Sequence, residues 1–378
     1  MSAMEFEPAP LEEWMRRFYF ETDIDIGSSG VGDLSLGRLR DLVGVATAEL
    51  DRLVLRDSTS WGGLALRKAI AARWGDGDPD RVMATHGASE AIYLVLQALL
   101  DPGDEVVAVE PVYHALVSPA RTMGCVVRPW PLRAERGFAP DLADLEPLVG
   151  ARTKLVVVNF PHNPTGATLT AVQRDRLIDL VAGVDAHLMW DNAFGDLVHG
   201  APPLPNPVAG YHKAVSVGTL SKAYGLPGLR FGWCVADPGL LERMIVLRDR
   251  MTLHLSPLVE LLACRVAEHA DRILTEVLPR VDANRTVLLD WAARHPGLVD
   301  LPVPLGGVTA FPLLRGFPDT EPVCRELATR DRVLLVPGSC FGRPDRVRLG
   351  FGGATDELRA GLDLLTAALH RTPTDAER

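Results

Sequence analysis

Short apolar runs alternate with longer segments of helical period between Val82 and about Leu253. The runs V-M-A-T, V-V-A-V, K-L-V-V-V-N and A-H-L-M-W-D have the length of buried strands, and apolar residues in the segments between them recur with helical spacing. Strands that alternate with helices favour a mostly parallel sheet with helices packed on its faces. The pattern therefore predicts an α/β fold for this part of the chain.

The two ends of the chain follow a different pattern. Leu11 to Phe20 is predicted to be a short helix, and a long helix should run from Ser256 to about Arg294, followed by short strands and helices. The loose ends expected at residues 1–10 and 371–378 are polar or proline-bounded. We expect four regions: an N-terminal arm with part of a small domain (1–45), a large domain (46–255), a connecting long helix (256–294) and a small C-terminal α+β domain (295–378).

Composition excludes several classes of function. The net charge of -10 argues against a nucleic-acid or anionic-membrane partner, and no apolar run approaches the roughly 20 residues that span a bilayer. Five scattered cysteines without C-x-x-C spacing favour reduced thiols rather than disulfides or a metal centre. The N-terminus has no basic region followed by an apolar run, so we expect a cytoplasmic protein without a signal peptide.

The stretch T-L-S-K-A-Y-G-L-P-G-L-R-F-G-W carries the strongest chemical signal. Its Lys222 is one of only four lysines in the 378 residues, and it follows the hydroxyls of Thr219 and Ser221 and precedes Arg230. A lysine amine can form a Schiff base with an aldehyde cofactor, and hydroxyls with a guanidinium can hold a phosphate dianion. An isolated lysine on a glycine-rich loop would more often be a surface residue, but this one has partners.

This stretch resembles the lysine segment of fold-type I pyridoxal-phosphate enzymes, the aspartate aminotransferase superfamily. From L-E-E-W at Leu11 to the helix near Leu365, the chain is most similar to the arginine-cyclising enzymes of antibiotic pathways within it. The resemblance implies a mostly parallel seven-stranded type of sheet with flanking helices, a smaller α+β domain and a homodimer. It also implies pyridoxal 5'-phosphate as cofactor in the large domain, with Lys222 as the catalytic residue.

Further cofactor contacts are implied by motifs that match the family in order. The turn G-A-S would place the phosphate at a helix N-terminus through Gly87, Ala88 and Ser89, where N–H groups lack partners. Tyr113 falls where the family stacks an aromatic ring on the pyridine, although a core aromatic residue is the alternative. Asn163 of N-P-T-G would bind the phenolic oxygen of the cofactor.

An acid at the end of a buried strand needs a positive partner, and the protonated pyridine nitrogen would supply one for Asp191. Two positions depart from the family pattern. Phe194 stands where many members have a tyrosine on the phenolic oxygen, so Asn163 would remain the main partner and the Schiff base pKa would rise. Arg56 and Asp57 stand where a tyrosine often reaches the phosphate of the partner subunit, which puts that contact in doubt.

The substrate side is less defined by sequence. Arg348 in R-V-R-L-G-F matches the family arginine that clamps the substrate carboxylate, but strand alternation places Arg346 on the same face as a structural competitor. Ser28, Ser29 and Gly30 are candidates for a substrate wall, or form a simple turn. A cationic guanidinium would need acids, and no choice is made among the available ones: Glu21, Asp23, Asp25, Asp33 and Asp57.

The resemblance implies an amino acid as the small-molecule substrate and leaves two reactions open. A cyclase would remove water from a β-hydroxylated arginine and add its guanidine to Cβ, giving capreomycidine or a related cyclic guanidino amino acid. An aminotransferase acting on an amino acid and a 2-oxo acid would use the same residues. A regulator domain that only binds the cofactor is disfavoured, since no DNA-binding appendage is present. The cyclase is the preferred interpretation.

Overall fold

The computed structural model describes residues 7–371, and the expectations for residues 1–6 and 372–378 lie outside that range. Its helices are α1 Pro10–Phe18, α2 Leu36–Val43, α3 Thr47–Asp51, α4 Leu64–Trp74, α5 Ala88–Leu99, α6 Ser118–Thr122, α7 Leu142–Leu145, α8 Ala171–Ala182, α9 Pro238–Arg248, α10 Pro257–Arg294, α11 Glu321–Glu326 and α12 Thr355–Arg371. Its strands are β1 Ile24–Asp25, β2 Val82–Thr85, β3 Glu105–Glu110, β4 Val126–Pro131, β5 Thr153–Asn159, β6 His187–Asp191, β7 Ala214–Thr219, β8 Gly232–Val235, β9 Val299–Asp300, β10 Thr309–Ala310, β11 Leu313–Leu314, β12 Val333–Leu334, β13 Val336–Pro337 and β14 Val347–Gly350.

A seven-stranded sheet forms the centre of the molecule, in the order β2-β8-β7-β6-β5-β3-β4. Its strand pairs are parallel except those made by β8, which runs antiparallel to both β2 and β7. The predicted mostly parallel sheet is therefore confirmed. Parallel strands bring their carboxyl ends to one edge, and in sheets of this kind ligands bind at that edge.

Both faces of the sheet are covered, as apolar strands without polar alternation require. Along β3, Val106 and Ala108 pack into a cluster with helices α5 and α9, whereas Val107 and Val109 belong to the larger core on the other face. These side chains are at most 2% exposed. Burial on both faces explains why the strands appear in the sequence as continuous apolar runs.

The two ends of the chain meet in the smaller α+β part of the molecule. Strand β1 pairs in parallel with β12, and the Trp14 indole on α1 donates to the Leu335 carbonyl at 2.9 Å. Helix α12 lies against β1 so closely that a Cβ at Gly361 would come within 2.6 Å of Ile26. The N-terminal helix and the loop after β1 are thereby held at the edge of the central sheet.

Most predicted elements are present, with differences at their ends. The alternating pattern that was predicted to continue to about Leu253 ends with α9 at Arg248, and the run V-L-L-V-P-G forms two short strands, β12 and β13, on either side of Leu335. Strand β4 was not predicted, because its segment R-P-W-P contains two prolines, which are rare in central strands. It lies at the edge of the sheet, where proline is tolerated better. Within residues 7–371, no helix is both long and apolar enough to cross a membrane.

Candidate active site

A cavity of about 440 Å³ opens at the carboxyl ends of the parallel strands. All fourteen residues predicted for the site line this cavity, although their roles remain predictions. They come from seven separate chain segments: Ser29 and Gly30; Gly87, Ala88 and Ser89; Tyr113; Asn163; Asp191 and Phe194; Thr219, Ser221, Lys222 and Arg230; and Arg348.

Lys222 lies just beyond the end of β7, and its Nζ donates to the Ser29 hydroxyl at 3.0 Å. Burial lowers the pKa of Lys222 to about 8, and the guanidinium of Arg348 acts in the same direction. Glu12 and Asp191 oppose the shift. An amine with this pKa is substantially neutral near pH 8, as a nucleophile or base must be.

The loop that carries Ser29 is fastened to the lysine segment by backbone hydrogen bonds. Val31 N donates to the Lys222 carbonyl at 3.1 Å, and Leu34 N donates to the Gly225 carbonyl at 2.9 Å. Gly225 has a φ of +61°, and a Cβ there would lie 2.3 Å from the Gly32 carbonyl oxygen. Glycine at this position therefore permits the close approach that places Ser29 beside the lysine.

Groups that could bind an anion lie together where β2 turns into α5. Gly87, with a φ of +81°, precedes the helix without a side-chain cap, so the first N–H groups face the cavity unpaired by a capping side chain. The Arg230 Nη2 lies 3.0 Å from the position a Gly87 Cβ would take. Thr219 Oγ1 donates to Ser221 Oγ at 3.0 Å nearby. Hydroxyls, helix N–H groups and a guanidinium suit a phosphate dianion.

Asp191 ends β6 with a buried carboxylate. Its Oδ1 accepts the Ala193 N–H at 3.0 Å, and burial raises its pKa to about 6 against the opposing charge of Lys222. A carboxyl group in this setting loses its proton more readily when a cationic partner is present. The arrangement suits a protonated ring nitrogen at this depth of the cavity.

Arg346 and Arg348 do not share a face as alternation predicts, because β14 begins only at Val347. Arg346 Nη1 donates to the Phe311 carbonyl at 2.8 Å, and its guanidinium lies 4.8 Å from the Phe138 ring centroid. Arg348 instead lines the cavity, with Nε donating to the Gly27 carbonyl at 3.0 Å. Burial lowers the pKa of Arg348 to about 10, so it stays charged at neutral pH.

The five acids considered for a guanidinium separate into two groups. Asp25 and Asp33 line the cavity. Asp23 pairs with Arg332, and Asp57 accepts from His254 at 3.0 Å in a fully solvated position. Glu21 is exposed and does not line the cavity.

The sequence model for class I and II aminotransferases matches residues 33–365, which include the cavity residues from Asp33 to Glu357. The chain belongs to this aminotransferase family. The family match agrees with the parallel sheet and with the position of the cavity at its strand ends.

The chain is also similar to individual proteins of known name. The chain is 50% identical to capreomycidine synthase of Streptomyces vinaceus over 363 residues, which is 96% of this chain and 93% of that protein. An arginine–pyruvate transaminase of Pseudomonas aeruginosa is 29% identical to this chain over 309 residues, which is 79% of this chain and 78% of that protein. The crystal structure of the PLP-dependent cyclase OrfR superposes with a TM-score of 0.93 at 45% identity, covering 97% of this chain and 98% of that one.

Asn159, Glu12 and Glu357 are among the cavity residues that the sequence did not predict. Asn159 ends β5, donates to the Asp191 carbonyl at 3.1 Å and accepts the Asn163 N–H at 2.9 Å. The polar end of the run K-L-V-V-V-N was the signal for it. Glu12 and Glu357 also line the cavity, from α1 and α12. Acids on the exposed side of amphipathic helices carry no such signal, because solvated helix faces are normally acidic or basic.

Tyr113 and Phe194 contribute aromatic rings to the cavity wall. The Tyr113 hydroxyl donates to Glu12 Oε1 at 2.9 Å, and burial together with this carboxylate raises the pKa of Tyr113. Phe194 is 3% exposed, and its ring lies 3.7 Å from the position a Gly307 Cβ would take. Phe194 offers no hydrogen-bond donor, so Asn163 remains the side-chain amide available on that side.

Proposed function

We propose that this protein cyclises a β-hydroxylated L-arginine by loss of the 3-hydroxyl as water and intramolecular guanidine addition, with pyridoxal 5'-phosphate as cofactor. The product is capreomycidine or a related cyclic guanidino amino acid. The observation that carries the proposal is the 50% identity to capreomycidine synthase over 96% of this chain. The cavity supplies groups for each part of such a substrate.

The cofactor fits the donor set at the strand ends. The start of α5, Ser89, Thr219, Ser221 and Arg230 would hold its phosphate, and Asp191 its ring nitrogen. Tyr113 and Asn163 would contact the ring and its phenolic oxygen, beside Phe194. When bound, pyridoxal phosphate supplies an electron sink for the negative charge that develops at the substrate Cα.

Arg348 and Lys222 would act on the amino acid end of the substrate. A guanidinium binds a carboxylate through two parallel hydrogen bonds, which fixes the direction of the Cα–H bond. Arg348 and Lys222 both line the cavity, and the charge of Arg348 helps to lower the pKa of Lys222. The neutral Lys222 amine would then take the Cα proton, and a lysine ammonium formed later, after guanidine addition, would protonate Cα again.

Asp33 is the cavity acid best placed for the guanidinium end, and Glu12 is the second candidate because its Oε1 already accepts the Tyr113 hydroxyl. Asp25 Oδ1 already accepts two backbone N–H groups, at 2.9 and 2.8 Å, and Glu357 Oε1 accepts the Asp25 N–H at 2.8 Å. Among residues 7–371, no side-chain hydrogen bond or ion pair engages the Asp33 carboxylate, and burial beside Asp25 raises its pKa. A cation bound there would relieve that unfavourable environment.

Binding at both ends bends the substrate so that the guanidine approaches Cβ. After the Cα proton is removed, the 3-hydroxyl leaves as water and a guanidine nitrogen adds to Cβ. Holding two reacting groups together can lower a barrier by several kcal/mol, up to about 7–11 in the best cases. An extended arginine bound only by its carboxylate would not gain this advantage.

Mass spectrometry of the product tests the proposal. Purified protein loaded with pyridoxal phosphate is incubated with 3-hydroxyarginine and no 2-oxo acid. We expect catalytic formation of a product lighter by one water that does not react as an alkene. A keto acid formed in a single turnover, with amination of the cofactor, would contradict the proposal and favour the aminotransferase.

The aminotransferase is the second candidate, because the chain is also 29% identical to an arginine–pyruvate transaminase. That reaction needs the same lysine, carboxylate clamp and cofactor groups. Adding pyruvate to the assay separates the two: it multiplies turnover of arginine by a transaminase and leaves a cyclase unaffected.

We also propose a homodimer. Val54, Leu55, Met251 and Leu253 expose 54–75% of their surface on two neighbouring loops that the Asp57–His254 pair joins. Exposed apolar side chains grouped in this way are typical of a subunit interface. Light scattering of the purified protein should give twice the chain mass, and a monomer at micromolar concentration would contradict it. The cytoplasmic location stays a prediction.

A further inference from the structure

Loss of the 3-hydroxyl raises a chemical demand that Lys222 alone does not meet. Hydroxide is a poor leaving group, so the oxygen must receive a proton as the Cβ–O bond breaks. Lys222 carries a suitable proton once it has taken one from Cα, but it then lies against Cα rather than Cβ. A hydroxyl group between the Lys222 ammonium and the 3-hydroxyl on Cβ could transfer the proton from one to the other.

Ser29 is hydrogen-bonded to the lysine amine inside the cavity. Its side chain is buried, at 6% exposure, and its Oγ accepts a hydrogen bond from Lys222 Nζ at 3.0 Å. When a serine oxygen accepts from an ammonium, its own proton is free to be donated onward. The loop is fixed relative to the lysine by the bonds from Val31 N and Leu34 N.

Two other hydroxyls of the cavity, those of Thr219 and Tyr113, already donate to other partners. Thr219 Oγ1 donates to Ser221 Oγ and lies 3.0 Å from the Phe231 carbonyl oxygen, so its single proton is already engaged. The Tyr113 hydroxyl donates to Glu12. In the described part of the chain, Ser29 is the hydroxyl hydrogen-bonded to Lys222 Nζ.

We propose that Ser29 is a catalytic proton relay, which passes the proton taken by Lys222 from Cα to the departing 3-hydroxyl of the substrate. This inference rests on the cyclisation proposed above. Ser29 gives its proton to the hydroxyl oxygen while it receives one from the Lys222 ammonium. The Cα–H and Cβ–O bonds break, water forms, and both Lys222 and Ser29 end in their neutral states.

Substitution of Ser29 by alanine separates the relay from a structural role when three reactions of the holoenzyme are compared. Water loss from 3-hydroxyarginine should slow by about 10²-fold or more, since general acid catalysis contributes about 10²–10⁴-fold. Exchange of the arginine Cα–H in D₂O needs Lys222 but no leaving group, and should stay within about threefold of wild type. Elimination from 3-chloroalanine should also be nearly unchanged, because chloride leaves without a proton.

Each pattern of results decides the question. A selective loss with 3-hydroxyarginine supports the relay. Equal losses in all three reactions would overturn it in favour of a structural role for Ser29, and unchanged water loss would overturn it outright. If wild-type protein exchanges the arginine Cα–H but releases no water from 3-hydroxyarginine, the proposed cyclisation itself fails, which is a different outcome from failure of the relay.

Discussion

The cofactor end of the cavity and its substrate wall are assembled in different ways. At the cofactor end, each polar group follows a strand of the central sheet: Gly87 after β2, Asn159 at the end of β5, Asp191 at the end of β6 and Lys222 after β7. The substrate wall combines α1, the loop after β1, β14 and α12, so that Glu12 and Glu357 line one cavity although 345 residues separate them. The order of the strands in the central sheet produces the cofactor end, and packing between the N-terminal and C-terminal segments produces the substrate wall.

The groups expected to carry the chemistry therefore lie in one region, and the groups expected to select the substrate lie in the other. Strand ends in a parallel sheet lie at one edge by geometry, so a cofactor site placed there is fixed by the fold. The wall can change its charges without altering the sheet, since its acids lie on surface helices and a loop. Variants of the two regions should therefore fail in distinguishable ways.

Lys222→Ala should have the largest effect. Removing the amine removes both the covalent partner of the cofactor and the base at Cα, so turnover should fall by at least about 10³-fold. The visible absorbance of the lysine-bound cofactor should disappear as well. Activity assays and absorbance spectra of the reconstituted protein measure both quantities.

Lys213→Ala is the matched control, because Lys213 pairs with Asp185 away from the cavity. It should keep wild-type colour and turnover. Full activity of Lys222→Ala with 3-hydroxyarginine would refute the assignment of the catalytic lysine.

Asp33→Asn and Glu12→Gln should weaken the substrate wall while leaving the cofactor end intact. Losing a hydrogen bond to a charged group costs about 1.5–3 kcal/mol, so kcat/KM for 3-hydroxyarginine should fall roughly 10- to 150-fold for each variant. Uptake of pyridoxal phosphate should not change in Asp33→Asn, whereas Glu12→Gln removes an acid that raises the Lys222 pKa and should move the pH dependence of uptake downward. Steady-state kinetics and cofactor titration test the two statements separately.

Asp23→Asn is the control for the wall, since Asp23 pairs with Arg332 in an exposed position. An exposed ion pair contributes little to folding because solvent screens it, so stability and kcat/KM should both remain close to wild type. If Asp23→Asn reduces kcat/KM as much as Asp33→Asn, the assignment of the wall is wrong.

The pH dependence of cofactor uptake should show a smaller effect, because charged residues of the substrate wall influence the pKa of Lys222. The Lys222 pKa of about 8 places the neutral amine at and above that pH, so uptake of pyridoxal phosphate by the cofactor-free protein should speed up through pH 8 and then level off. Burial is the main cause, Arg348 and Arg230 lower the pKa, and Glu12 and Asp191 raise it. Arg348→Gln should therefore shift the midpoint upward. Stopped-flow absorbance measures the rates, and a midpoint near 10 in wild type would contradict the lowered pKa.

Sequence patterns predicted the cofactor end better than the wall for a physical reason. Lys222, Asp191 and Asn163 lie in short motifs beside apolar strands, and the order of those motifs along the chain specifies the sheet edge. Glu12 and Glu357 meet only because β1 pairs with β12 and α12 packs on β1. Such contacts between distant segments depend on tertiary packing, which periodicity does not encode.

The two arginines before and within β14 show the same limit. Strand alternation predicts a shared face for Arg346 and Arg348, and the motif selects the second. Because β14 starts only at Val347, Arg346 lies outside the strand and its guanidinium packs on the Phe138 ring instead of facing the cavity. Boundaries of short strands are set by their partners, here β10 and β13.

The origin of the Cα hydrogen in the cyclic product tests the proposed chemistry most directly. The holoenzyme is incubated with 3-hydroxyarginine in D₂O, and the product is examined by mass spectrometry and proton NMR. Ring closure after removal of the Cα proton by Lys222 predicts deuterium at Cα and none at Cβ. A cyclic product that retains the original hydrogen at Cα would contradict this order of events and indicate direct displacement at Cβ.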